Sequence, residues 1–233
     1  MPLPPRMPGV AVTLRQAQGG TVFYLHGFAS SPKSTKVGYF TERFREHRID
    51  VRCPDFNQPD FTTMTMTRML DQLGGELARA GSGPATLVGS SLGGTLAILA
   101  AALYPDRVER LVLLAPAVMF AKTGHHLLPP ERVDEWRRRG ALPFFHYADQ
   151  QEHDLNFAFY EDSLRYDAFT TVFPQPALIF QGLRDQSVDH RTVEAFAGTR
   201  PNVTLSLLDD DHQLIASLPR MWIDIRHFVG LDA

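Results

Sequence analysis

The sequence predicts an α/β fold, a mostly parallel central sheet flanked by helices, in one domain over residues 1–233. Three observations carry that expectation. Apolar, β-branched runs of strand length alternate with amphipathic segments of helix length. From Thr21 onward the gaps between successive strands hold a dozen residues or more, the reach that a parallel crossover needs. The composition is that of an ordinary globular chain, 44% apolar, with charges of both signs scattered to a net −3.

Taken in order, Val10–Leu14 reads as a short edge strand and TVFYL (Thr21–Leu25) as a buried one. Lys33–His47 has helical spacing, with Val37, Phe40 and Phe44 on one face. Ile49–Cys53 is a short strand stopped by Pro54, and Thr65–Ala80 a helix ended by Gly81. Ala85–Val88 is a strand, Gly93–Leu103 a helix of small residues, and Val108–Leu114 a strand. Ala177–Phe180 and Val203–Leu208 are the last two strands, and Leu218–Val229 is a closing helix. Residues 116–175 break this rhythm, because two strands are separated there by far more than one crossover. The interval holds two helical stretches, Pro130–Arg139 and Asn156–Phe169, around the aromatic run LPFFHY (Leu142–Tyr147). We read it as a small helical lid inserted over the strand ends, since long insertions in compact domains are often functional.

Composition excludes several classes. No basic stripe marks a nucleic-acid partner. A single cysteine, Cys53, forbids an internal disulfide and reads as a core residue at a strand end. The first residues carry no apolar signal-peptide core, and no run reaches the length of a membrane span. A cytoplasmic location is the expectation. The oligomeric state is not legible.

The loudest local signal is Gly89-Ser90-Ser91-Leu92-Gly93, a G-x-S-x-G pattern between a strand and a helix. A serine raised on so sharp a turn needs strained backbone angles, and side chains two residues away on either side would collide. Ser91 is therefore the candidate nucleophile, with the N-terminus of the following helix aimed at it. A His-Gly pair, His26-Gly27, follows the strand TVFYL directly. There the chain presents backbone N–H groups, and those of Phe28 and Leu92 are the candidate oxyanion hole. His26 reads as a brace for that loop. Ser30, Ser31 and Ser34 read as caps.

A serine needs a base, and the base an orienting acid, in the chain order Ser, Asp, His. Asp185 follows the strand ALIF, and His212 follows the last strand, VTLSLL. Both stand in loops just past strand ends, where α/β sites gather. Asp189, Asp209, Asp210 and Asp211 are rival acids. The pair His125-His126 raises a metal, but no cysteine or carboxylate stands at ligand spacing beside it, so no metal and no cofactor is expected.

YLHGFASSPKSTK (Tyr24–Lys36) together with VGSSLGG (Val88–Gly94) resembles the α/β-hydrolase superfamily, and more narrowly small bacterial esterases of the YqiA type. The long insertion and the LAPA that follows its strand (Leu114–Ala117) also resemble the acyl-protein thioesterase and acyl-glucuronide esterase branch. The resemblance implies an α/β-hydrolase fold, a Ser91–Asp185–His212 triad and Phe28 and Leu92 as oxyanion donors. It further implies a small ester or thioester substrate, and the apolar lid points to an apolar acyl group. Where such proteins usually read His-Gly before the acid, this chain has Gln181-Gly182. Two alternatives stay open: the same triad on a carbon–carbon or amide bond, and a binding module that kept the fold without the chemistry.

Overall fold

The computed structural model describes residues 20–122 and 128–231. The expected strand Val10–Leu14 and the pair His125-His126 lie outside them. Strands β1 (Thr21–Leu25), β2 (Val51–Arg52), β3 (Ala85–Ser90), β4 (Val108–Leu114), β7 (Ala177–Gly182) and β8 (Val203–Leu208) form one sheet. Its order is β2-β1-β3-β4-β7-β8, and every pairing is parallel. The helices between them are α1 (Thr35–Glu46), α2 (Met66–Arg79), α3 (Leu92–Leu103), α6 (His190–Gly198) and α7 (Leu218–Phe228).

Strand alternation sorts the core into two layers. Phe23, Leu25, Leu87, Leu111 and Ile179 face α2, α3 and α6. Val22, Tyr24, Val88, Val112 and Phe180 face α1 and α7. β3 and β7 are buried along their whole length, because helices cover both faces. The sequence placed these elements to within a few residues, including β1, β4 and β8 at both ends.

The chain steps from β1 outward to β2, then crosses back to β3 on the other side of β1. The loops after β1 and β3 therefore diverge, and a crevice opens at their carboxyl ends, where open α/β sheets bind ligands. Leu25 pairs with Gly89, so the turn after β1 lies directly beside the turn after β3.

Residues 116–175 are not wholly helical. α4 (Pro130–Arg139) forms as expected, with Pro130 in its first turn and Gly140 at φ 78° closing it. The aromatic run becomes β5 (Ala141–His146), which pairs antiparallel with β6 (Gln151–Asn156). The second expected helix shrinks to α5 (Ala158–Ser163), because Asn156 is held in the ladder opposite Ala141 and donates its N–H to the Thr62 carbonyl at 2.9 Å. Trp136 of α4 is fully buried, and its Nε1 donates to the Leu155 carbonyl at 2.7 Å. Among the described residues no helix is long and apolar enough to cross a membrane.

Candidate active site

Ser91 stands between β3 and α3 at φ 53°, ψ −115°, a backbone region that costs an L-residue about 1–3 kcal/mol. The neighbours that make room for the turn are glycines for a steric reason. A Cβ on Gly89 would come within 2.7 Å of the Gly93 carbonyl carbon, and one on Gly93 within 2.8 Å of the His26 carbonyl oxygen. Gly94 lies against Pro116, and Thr95 ties α3 down by donating its hydroxyl to the Ala117 carbonyl at 2.8 Å.

Asp185 and His212 converge on this serine from the loops after β7 and β8. His212 Nε2 lies 3.1 Å from Ser91 Oγ, and its Nδ1 lies 2.8 Å from Asp185 Oδ2. With the carboxylate ionised, the imidazole proton sits on Nδ1 and leaves Nε2 free to accept from the serine. The Asp185 side chain is fully buried. Burial pushes its carboxyl up, but the His212 contact and the backbone N–H groups of Val188 and Ser187 outweigh that and hold it below the usual carboxylate range. Those two N–H groups donate to Oδ1 at 2.9 and 2.8 Å.

One contributor shows in the sequence only as a departure from the usual His-Gly pair. Gln181, the fully buried residue where β7 gives way to its loop, donates from Nε2 to Asp185 Oδ2 at 2.9 Å and to the Val188 carbonyl at 3.1 Å. Gln181 is thus a direct partner of the Asp185 carboxylate. A glutamine ending an otherwise apolar strand, four residues before an aspartate, was the available signal.

The rival acids serve the loops. Asp189 caps α6 by accepting from the Arg191 N–H at 2.9 Å, Asp209 pairs with Arg184, and Asp210 accepts from the Ser217 N–H at 2.9 Å. Asp211 accepts from the Gln213 N–H at 2.8 Å. None of them meets His212. Of the serines read as caps, Ser34 sits at the α1 N-cap position without a side-chain cap bond, whereas Ser31 accepts from the Lys33 N–H at 3.1 Å.

Phe28 and Leu92 flank the serine. Leu92 is the first residue of α3, so its N–H is among those that a helix leaves without an intrahelical partner. The Phe28 ring is held by Phe61, Phe144 and Phe159 at 5.5–5.6 Å. His26 braces the same loop, as its sequence suggested: it is buried, and Nε2 accepts from the Phe56 N–H at 3.0 Å. A cavity of about 300 Å³ opens on Ser91 between Phe28, Leu92, Met119, Phe120 and Val188, with Ser187, Asp189 and Thr192 as its polar wall. A larger groove of about 860 Å³ lies at the sheet edge between β8 and α7 and contains none of these groups. Cys53 lies outside the site, and burial, reinforced by Asp55, pushes its thiol up to about 12, which keeps it from being a nucleophile.

A family model described as Uncharacterised protein family (UPF0227) matches residues 21–229. The chain belongs to that family. The match extends from the first residue of β1 to Val229, the C-cap of α7. Among curated proteins the chain is similar to the mitochondrial palmitoyl-protein thioesterase ABHD10 of Homo sapiens, 24% identical over 202 residues, which are 81% of this chain and 64% of that protein. It is also similar to the lipase LipV of Mycobacterium tuberculosis, 36% identical over 90 residues, 36% of this chain and 34% of that protein. The chain thus spans less than two thirds of the length of these relatives. Among solved structures, Est1E from Butyrivibrio proteoclasticus with ferulic acid bound superposes with a TM-score of 0.77 at 21% identity, covering 90% of this chain and 88% of that one. Mouse alpha/beta hydrolase domain-containing protein 10 superposes with a TM-score of 0.72 at 20% identity, covering 94% and 93%. The fold is the α/β-hydrolase fold.

Proposed function

We propose that this chain hydrolyses carboxylic esters or thioesters through an acyl-enzyme on Ser91. The observation that carries the reading is His212, set between the Ser91 hydroxyl and a buried, ionised Asp185. As Ser91 Oγ attacks the acyl carbon, His212 Nε2 takes its proton. The oxyanion is received by the N–H groups of Phe28 and Leu92, a contribution typically worth about 10²–10³ in rate per donor. His212 then gives the proton to the departing alcohol or thiol. A water, deprotonated by the same nitrogen, attacks the acyl-enzyme and frees the acid.

The apolar wall of Phe28, Leu92, Met119, Phe120 and Val188 suits the acyl chain. A cavity of about 300 Å³ is at the small end for ligand pockets, which supports acyl groups of short to medium length. The names of the curated relatives, a thioesterase and a lipase, support the reaction class.

A fluorophosphonate probe tests this reading. It is expected to label the wild-type protein and not Ser91→Ala, and a series of nitrophenyl esters and acyl thioesters is expected to peak at short to medium chains. Folded wild-type protein that takes no label and turns over no ester or thioester would overturn it.

A further inference from the structure

The β5–β6 hairpin gathers a cluster of side chains that the hydrolytic site does not use. In the ladder Phe144 pairs with His153 and His146 with Gln151, so all four side chains lie on one face of the ribbon. The connecting turn folds Asp149 back over that face. Asp149 Oδ2 lies 3.1 Å from His146 Nδ1 and 2.9 Å from His153 Nε2. The two rings meet edge to face, 5.2 Å between centroids.

His146 is the residue that needs an explanation. It is 3% exposed, and neither of its ring nitrogens makes a hydrogen bond with the protein. The Asp149 carboxylate is within reach but outside hydrogen-bonding alignment. Buried polar groups in folded proteins are satisfied as a rule, so an imidazole left in this state points to a partner from outside the chain.

We propose that His146, Asp149 and His153 bind a divalent transition-metal ion of the zinc class at the tip of the hairpin. Two imidazoles and one carboxylate are a usual protein donor set for such an ion, with water completing the shell. The three donor atoms lie within 4.8 Å of one another, and side-chain rotation closes that span to the roughly 3.3 Å separations of a tetrahedral shell. Asp149 is half-exposed and His153 one-third exposed, which gives the ion a way in. The metal displaces one weak contact, between Gln151 and His153 Nε2 at 3.2 Å.

The ion would brace the site indirectly. The hairpin tip donates the Tyr147 N–H to the Ala29 carbonyl at 2.9 Å, next to Phe28. Phe61 meets His146 edge to face at 5.0 Å and the Phe28 ring at a tilt at 5.6 Å. A filled site joins the two arms of the hairpin beside the loop that carries Phe28. The sequence points to no metal, since His125-His126 is the pair that stands out in it; His146 and His153 come together only through the hairpin register.

The test needs no turnover, so its outcome is independent of the hydrolytic reading. Chelator-stripped full-length protein is titrated with zinc chloride by calorimetry and with cobalt(II) by visible absorption. One ion per chain is expected, with micromolar affinity, the strong d–d bands of tetrahedral cobalt(II) and a rise of several degrees in Tm. Asp149→Asn, at an exposed position, and His153→Gln, at a partly exposed one, are expected to keep the metal-free Tm and to lose at least tenfold in affinity. Three results would each overturn the proposal: no uptake at millimolar zinc, uptake unchanged in both variants, or uptake that vanishes only when His125 and His126 are replaced.

Discussion

At Ser91, backbone strain falls on the residue proposed as the nucleophile. A backbone at φ 53°, ψ −115° is open to glycine at little cost and to other residues only against steric repulsion. Ser91→Gly and Ser91→Ala are both expected to lose at least about 10⁴-fold in kcat. They part in stability: the glycine variant unfolds at a higher temperature than the alanine variant, by an amount equivalent to about 1 kcal/mol. Thermal melts of the pair check this, and equal melting temperatures would mean that the turn stores no strain. Gln181 offers a second comparison. Its Nε2 donates to the same Asp185 oxygen that His212 uses. Gln181→Leu fills a similar volume but removes that donor, a charge-assisted bond of about 1.5–3 kcal/mol. We expect kcat to fall about tenfold with KM little changed, because the loss acts on the orientation of His212 and not on the acyl cavity. The triad candidates were legible because each lies one loop past a strand that the sequence marks clearly. Gln181 was not, because a lone polar residue in a buried strand declares its burial but not its partner.

Among the elements, α1 carries an anomaly of charge. Lys36, in its first turn, is 8% exposed and packs into the layer of Val37, Phe40 and Phe44. Burial lowers its amine to about 8, against the opposing pull of Asp185, Asp210 and Asp211. The sign follows from proton counts. Between about pH 8 and 10 the unfolded chain holds a proton on this amine that the folded chain has lost, so stability rises with pH across that window. Below about pH 8 the buried cation is a full liability. Lys36→Met is therefore expected to stabilise the protein at pH 7 by on the order of 2–3 kcal/mol, with the gain gone by pH 10. Melting curves at the two pH values check it. A variant less stable at pH 7 would show that the three aspartates need this cation. The elements also show where sequence patterning stops. TVFYL and VERLVLL are strands by their own residues. β6, QEHDLN, has almost no apolar pattern, and its turn from β5 lacks the Asn-Gly or Asp-Gly signal of a tight hairpin. It is a strand because β5 and the Phe61 ring lie opposite it, which is information held in the fold and not in the window.

At the scale of the molecule, the inserted segment and the sheet share one core. Val133, Trp136, Leu142, Leu155 and Phe159 belong to the same apolar cluster as Phe23, Leu87 and Leu113 of the sheet. The joint is aromatic: the Trp136 and Phe144 rings meet at a tilt at 4.9 Å, and Phe144 meets Phe28 edge to face at 5.5 Å. Thr67 at the head of α2 adds a polar tie, donating its N–H and its hydroxyl to Asp162 of α5 at 2.7 Å each. A cap that folded on its own would instead keep a core of its own, separated from the sheet by polar contacts. The protein is therefore expected to melt in a single calorimetric transition. Trp136→Ala removes the fully buried centre of the joint and is expected to cost about 3–5 kcal/mol, lowering the Tm by on the order of 10 °C without splitting the transition. The proposed ester hydrolysis should fall with it at temperatures well below the melt, because Phe144 no longer holds the Phe28 ring beside Ser91. Two resolved transitions in the wild type, or a variant whose insertion melts while the sheet stays folded, would instead mean that residues 116–175 form a unit of their own.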